Sequence, residues 1–329
     1  MALDLDRRHG LQAAGGLALM ACLPGGAQAA AVSDGRWTDQ QRQRSLPWRL
    51  RLPEGPQAGP GPWPLVLFSH GLGGSVDAGT VWGEAWAAAG LAVLHMQHPG
   101  SDTDTLRAGL RGLQAAASAE QLLARVLDVR FVLDEVARRI ALGEAPWAQL
   151  RGDAIGLAGH SFGAQTTQAI AGQRYPVEAD GSDPRPRAFI AFSPSQTRGG
   201  RLSVGQAFGA ITRPFLLVTG SEDGDPFGSY DSGAPRAEVY QGLPPGQRAL
   251  LWLDGADHMT FGGQNLHRPF AFGPFRRHGP AAERQPVHHA LVARITSHWW
   301  RAQLLGDAAA REALRQPAGL GEKDRWQLD

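Results

Sequence analysis

The stretch Ala154-Ile155-Gly156-Leu157-Ala158-Gly159-His160-Ser161-Phe162-Gly163 decides the fold. An apolar run of strand length enters a Gly-x-Ser-x-Gly turn, and a segment able to form a helix, through Ala171, leaves it. In such a turn the serine sits on a sharp strand-to-helix corner, and the glycines on either side remove side chains that would collide across it. The serine oxygen is thereby exposed. In a chain with 43 glycines among 329 residues the pattern alone is weak, so the weight falls on its context, which is the one the motif requires. Ser161 is the expected nucleophile, with Gly159 and Gly163 as elbow glycines. The alternative is a buried structural serine in a tight turn.

Outward from this corner, short apolar runs predict further strands at Trp48–Leu52, Leu65–Ser69, Leu91–His95, Ala188–Phe192, Phe215–Thr219 and Ala249–Leu253. Several are nearly continuous in apolar character, as strands covered on both faces of a parallel sheet are. Between them, Leu122, Val126, Val129, Leu133, Val136 and Ile140 recur at helical spacing. They predict a helix from Ser118 to about Ala141, opened by a Ser118/Gln121 capping box and closed by Gly143. Other helices are expected over Val81–Ala89, Ser161–Ala171 and Val287–Leu305. Alternating strands and helices imply an α/β fold with a mostly parallel central sheet and helices on both faces. Residues 30–315 are expected to form one domain, with a proline-rich loop at Pro53–Pro64 and a poorly ordered tail at 316–329.

Composition narrows the function. The net charge is +1, without a basic block, which leaves little for nucleic-acid binding to work with. Lys323, in the tail, is the only lysine of this sequence, which excludes a P-loop and a pyridoxal-phosphate Schiff base. At the N-terminus, Arg7 and Arg8 precede an apolar run from Leu11 to Leu23, and Ala27-Gln28-Ala29 has the small-x-small pattern of a cleavage site. Residues 1–29 therefore read as a bacterial export signal, and the expected location is periplasmic or secreted. The paired arginines favour the twin-arginine route over the general secretory one. Leu19-Met20-Ala21-Cys22 is also similar to a lipoprotein box, which would leave a lipid anchor at Cys22. Cleavage after Ala29 would instead remove the single cysteine and with it any disulfide, thiolate metal site or cysteine nucleophile. No other apolar stretch reaches the length of a membrane span.

A second glycine-rich loop, Ser69-His70-Gly71-Leu72-Gly73-Gly74, follows the Leu65–Ser69 strand. Its backbone can approach a bound carbonyl, and the Leu72 and Phe162 amides are the expected oxyanion hole. A dinucleotide-binding turn is the alternative, but the third glycine is missing at the right spacing. A serine hydroxyl also needs an adjacent base, and that base an orienting acid. His258, in the loop after the last apolar strand, is the favoured base among eleven histidines. His267, His278 and the pair His288-His289 compete, the pair being expected on a solvated helix face. After Phe215–Thr219 comes Gly220-Ser221-Glu222-Asp223-Gly224-Asp225. Asp223 is the favoured acid, Asp225 its close rival and Glu222 a more distant one; any of them could instead stabilise a turn. Met259 and Phe261, beside the base, could line an acyl pocket or belong to the core. His95, His98 and His258 lack metal-ligand spacing, and no metal or cofactor is expected.

The order of these segments resembles the α/β-hydrolase superfamily. Phe68-Ser69-His70-Gly71-Leu72-Gly73 and Gly159-His160-Ser161-Phe162-Gly163 are similar to platelet-activating-factor acetylhydrolase-type lipases. His98-Pro99-Gly100-Ser101-Asp102 and Ser193-Pro194 look like bacterial dienelactone-hydrolase-like members. The resemblance covers roughly residues 35–305. It departs at Phe192-Ser193-Pro194-Ser195, where animal acetylhydrolases carry their acid and this chain has no carboxylate; that points back to Asp223. A dienelactone hydrolase proper has a cysteine nucleophile, so the name marks kinship. The resemblance implies a serine esterase acting on a small-molecule or lipid ester through an acyl-enzyme, and the N-terminal signal makes it an exported one. The short connection from Phe192 to Phe215 implies that no large lid domain covers the site. A lipase or phospholipid- or polyester-active hydrolase is the alternative activity, and a non-catalytic binding protein on a hydrolase fold the alternative class.

Overall fold

The computed structural model describes residues 31–54, 58–176, 180–196, 202–225, 231–264 and 280–329. The expected export segment, with Arg7, Arg8 and Cys22, lies outside the described residues, as do His267 and His278. The strands are β1 (Ala31–Asp39), β2 (Arg44–Leu52), β3 (Trp63–Ser69), β4 (Ala92–Met96), β5 (Leu150–His160), β6 (Pro186–Phe192), β7 (Phe215–Glu222), β8 (Arg248–Asp257) and β9 (Arg325–Leu328). Among the described residues they form one nine-stranded sheet in the order β1-β2-β4-β3-β5-β6-β7-β8-β9. From β4 to β8 neighbours run parallel, while β1, β2 and β9 join antiparallel at the two edges.

The helices are α1 (Thr80–Ala88), α2 (Thr103–Arg107), α3 (Gly109–Ala116), α4 (Ala119–Ala141), α5 (Phe162–Ala171), α6 (Val204–Phe208), α7 (Ala234–Ala237), α8 (Val239–Gly242), α9 (Pro280–Leu304) and α10 (Ala308–Arg315). On one face of the sheet, α4 and α5 bury Val126, Val129, Leu133, Val136 and Ile170 against Leu65, Leu67, Leu157 and Phe189. On the other, α1, α9 and α10 bury Trp82, Trp86, Trp299, Trp300 and Leu314 against Val66, Phe68, Ile190 and Leu251. The buried stretches of the central strands, Ala154–Ala158, Ala188–Phe192 and Phe215–Val218, are apolar because each faces a helical layer on both sides. The helix predicted from Ser118 is α4; the Ser118 side chain accepts from the Gln121 amide, and Gly143 closes it at φ +67°. Among the described residues no helix is long and apolar enough to cross a membrane.

The tail is not loose. Arg325–Leu328 pairs with Ala249–Trp252 of β8, the Asp254 amide donates to Asp324 at 2.8 Å, and Arg248 holds the Asp329 carboxylate at 2.6 Å. The expected boundary at 315 therefore moves: the last strand of the domain lies beyond it, held by partners some seventy to eighty residues earlier in the chain. β1, too, has no apolar alternation to announce it; it is an exposed edge paired to β2 from Ala31↔Leu52 to Asp39↔Arg44.

Register brings the site together. Ser69 lies beside Gly159 and His160 beside Phe192, so β3, β5 and β6 end on one rim. β7 and β8 end there as well, with Glu222 beside Asp257. In parallel α/β sheets, ligand chemistry is found at this carboxyl edge.

Candidate active site

At the end of β5 the chain turns through Ser161, which has φ 57° and ψ −114°, and enters α5 at Phe162. A non-glycine residue in that region is strained, at a cost on the order of 1–3 kcal/mol, and such strain tends to sit at functional sites. The strain is held by packing. The Ser161 amide donates to the Phe192 carbonyl at 3.0 Å. A Cβ on Gly159 would lie 2.2 Å from the Gly163 carbonyl oxygen, and one on Gly163 would lie 1.9 Å from the Ser69 carbonyl oxygen. Both positions need glycine because the obstructing atoms are backbone.

The structure joins three of the expected residues. His258 follows β8 directly, and its Nε2 lies 3.0 Å from the Ser161 hydroxyl. Its Nδ1 donates to Oδ1 of Asp223 at 2.8 Å. Asp223, just past β7, is fully buried, and Thr219 donates to its second oxygen at 2.8 Å. Of the acidic candidates it is Asp223 whose carboxylate meets the imidazole; Glu222 is exposed, and Asp225 is half-buried two residues further on.

Three features escaped the sequence reading. First, Arg236, on α7 and buried, places its Nε 3.0 Å from Asp223 Oδ1. Second, His160 Nε2 lies 3.0 Å from the His258 carbonyl, so the residue before the serine holds the loop that carries His258. Burial, with His258 and Arg236 nearby, pushes His160 well below its usual range, so the neutral ring donates this hydrogen bond. Third, His288 and His289 are buried instead of solvated. His289 Nε2 is 2.9 Å from the Thr260 carbonyl and its ring stands edge-on to Trp82, so His289 packs beneath the loop after His258.

The Leu72 loop lies against the elbow: a Cβ on Gly71 would be 3.4 Å from Ser161 Cβ. Among the described residues neither the Leu72 nor the Phe162 amide has an acceptor. A buried polar network fixes this loop. His70 Nε2 accepts from the His98 amide at 2.9 Å, which leaves Nδ1 as the protonated nitrogen, donating to the Gly71 carbonyl. Arg125 donates to the His70 carbonyl at 2.7 Å and stacks 4.6 Å from the centre of the Phe162 ring. Ser69 Oγ donates to His98 Nε2 at 2.9 Å, and His98 Nδ1 donates to Asp128 at 3.1 Å. Burial and Arg125 lower His98 to about 4. Burial raises Asp128, but hydrogen bonds from His98 and Arg44 outweigh it and hold the carboxylate below its usual range. The His98–Asp102 segment is thus a support for the Leu72 loop. The Gly73 amide donates to the Ser101 carbonyl in the same sense.

Met259 is half-buried beside His258. Phe261 is a core residue: it is fully buried and its carbonyl accepts from Trp82 Nε1 at 3.1 Å, so it lines no surface opening. Its apolar ring finds a place beneath the loop because the 3-10 turn Thr260–Gly262 directs it onto α1 and α9. Among the described residues no three His, Cys, Asp or Glu side chains group as metal ligands.

No family model matches the chain, and no curated protein matches it. Among solved structures it is similar to the ferulic acid esterase from Streptomyces cinnamoneus, with a TM-score of 0.60 over 87% of this chain and 93% of that chain, at 19% identity. The likeness is one of fold. The mostly parallel sheet with helices on both faces is an α/β-hydrolase fold.

Proposed function

We propose that this protein is a serine hydrolase that cleaves carboxylic esters through an acyl-enzyme, with Ser161 as nucleophile, His258 as base and Asp223 as the acid that orients it. The observation that carries this reading is the continuous line from Ser161 Oγ to His258 Nε2 and from His258 Nδ1 to Asp223, at 3.0 Å and 2.8 Å. An alcohol is a weak nucleophile until a base takes its proton as it attacks. In that step His258 Nε2 receives the Ser161 proton, the serine oxygen bonds to the ester carbonyl, and the resulting oxyanion accepts from the Leu72 and Phe162 amides. His258 then gives the proton to the departing alkoxide. Water repeats the sequence on the acyl-enzyme, releasing the acid and restoring Ser161.

The esterase named among similar structures is in keeping with this reading, as is the resemblance of the serine and histidine-glycine motifs to dienelactone-hydrolase-like and acetylhydrolase-like proteins. The substrate is a small-molecule or lipid ester, and the protein acts after export to the periplasm or beyond the cell. Hydrolysis of p-nitrophenyl esters of graded chain length tests the activity and separates an esterase from a lipase. Ser161→Ala is expected to lower turnover by roughly 10⁶, and a fluorophosphonate probe to label Ser161 alone. An unchanged rate in Ser161→Ala removes the assignment, and failure of the probe on intact protein favours a binding protein.

A further inference from the structure

Behind the acid stands a cation that the three-residue line does not include. Arg236 is 2% exposed, and nearly every donor of its guanidinium is directed at the rim loops. Nε lies 2.8 Å from the Asp223 carbonyl and 3.0 Å from its Oδ1. Nη1 donates to the Ser193 and Pro194 carbonyls at 3.0 and 3.1 Å and to Ser195 Oγ at 3.2 Å; Nη2 donates to the Gly224 carbonyl at 3.0 Å. The loop after β6 and the loop after β7 are thereby tied to one planar group. The tie is imposed by backbone packing, since a Cβ on Gly233, which opens α7, would fall 2.0 Å from the Gly220 carbonyl oxygen.

The same group faces the base. Arg236 Nη2 is 3.2 Å from His258 Nδ1. Because that nitrogen already gives its proton to Asp223, the contact sets one N–H against another and is no hydrogen bond. It places a positive charge beside the ring that must become positive during the reaction. Asp223 favours a charged ring, and Arg236, bound to the same carboxylate oxygen, opposes it.

We propose that Arg236 is a positioning residue of the triad: it locks the Asp223 carboxylate on His258 and sets the acid limit of activity by offsetting the carboxylate's pull on the imidazole. Among the described residues the other charged or titratable groups facing His258 are few. His160 lies against its ring at 4.7 Å between centroids, and the neighbouring Asp257 carboxylate is taken by the Thr260 amide and hydroxyl at 2.8 Å. A guanidinium serving only to fill donors around the loops would hold the fold but leave the pH profile in place.

The proposal rests on the serine-hydrolase reading, and its test keeps the two apart. The profile of kcat/KM against pH is measured for wild type, Arg236→Gln and Arg236→Lys, with the fraction of competent sites counted by fluorophosphonate titration and Ser161→Ala assayed alongside. In Arg236→Gln the acid limb is expected to move up by about one pH unit, with kcat per competent site down roughly tenfold or more from lost alignment and KM little changed. In Arg236→Lys, which keeps the charge but not the fork, the limb stays near wild type while kcat still falls. An acid limb unmoved in Arg236→Gln, or moved equally in both variants, overturns the proposal. If Arg236→Gln does not fold, Arg236→Lys decides, because a displaced limb with the charge retained is the contrary result. Activity surviving in Ser161→Ala would sink the triad reading itself, whatever the arginine variants do.

Discussion

Acidification from about pH 7.5 to about pH 5.5 should remove about 5 kcal/mol of folding stability, through histidines that make almost no contact with solvent. His70, His95, His98 and His160 are all buried, at 0%, 1%, 0% and 7% exposure. Each is neutral in the folded protein. Burial and Arg51 lower His95 to about 3, burial and Arg125 lower His98 to about 4, and His70 and His160 lie well below their usual range. In the unfolded chain each returns to about 6.5. A group whose folded value is depressed leaves the unfolded state holding more protons between the two values, so stability rises with pH there and is lost on acidification. For one such histidine the loss is about 0.1 kcal/mol near pH 7.5 and about 1.4 kcal/mol near pH 5.5, which over four groups gives about 5 kcal/mol. Asp128 contributes nothing to this window: its folded value is depressed below 3.8, so its stabilisation is kept until the pH approaches that value. Against a typical total of about 5–15 kcal/mol the loss is large. Urea unfolding followed by tryptophan fluorescence at the two pH values, at constant ionic strength, measures it. A difference below about 1.5 kcal/mol would refute the reasoning, because at most one of the four could then be buried and neutral. His95→Gln, which keeps a donor for the Ala78 carbonyl that His95 Nδ1 now serves at 2.9 Å, should reduce the slope by one proton.

Gly163→Ala should abolish activity and most soluble folded protein, because its Cβ would meet the Ser69 and His70 carbonyl oxygens at 1.9 and 2.8 Å, and backbone there cannot yield. Gly205→Ala, where nothing lies within 4 Å, is the control and should be neutral or stabilise by about 0.5–1 kcal/mol, read as a change in unfolding midpoint. Deleting Arg325–Asp329 should lower the melting temperature by several degrees and promote aggregation, since it bares the β8 edge and removes the Arg248–Asp329 pair. An unchanged melting temperature in light-scattering-monitored thermal unfolding would contradict that role for the tail.

The parts of the site that could be read directly are those whose chemistry depends on neighbours along the chain. The Gly-x-Ser-x-Gly elbow is one, since the strand before it and the helix after it are local. The strand-then-loop settings of Asp223 and His258 are others, though choosing Asp223 over Asp225 required the imidazole to be in place, because either carboxylate satisfies the same sequence pattern. Phe261 and the His288-His289 pair went the other way. An aromatic beside His258 and two adjacent histidines on a helix say nothing of which face is covered until α1 and α9 are laid against each other.

The sequence by itself determined the central strands and the main helices between them, the parallel centre of the sheet and the serine corner, because hydrophobic period, glycine sterics and turn chemistry act over a few residues. Only the tertiary structure decided that Arg236 stands behind Asp223, that His98 and Asp128 hold the Leu72 loop, and that residues 325–328 close the sheet. Those arrangements join groups up to some eighty residues apart, through hydrogen bonds and ion pairs that any arginine, histidine or short polar strand could have made elsewhere. What selects among them is the register of the strands and the exclusion of water between packed layers, and neither is a property of any local stretch of chain.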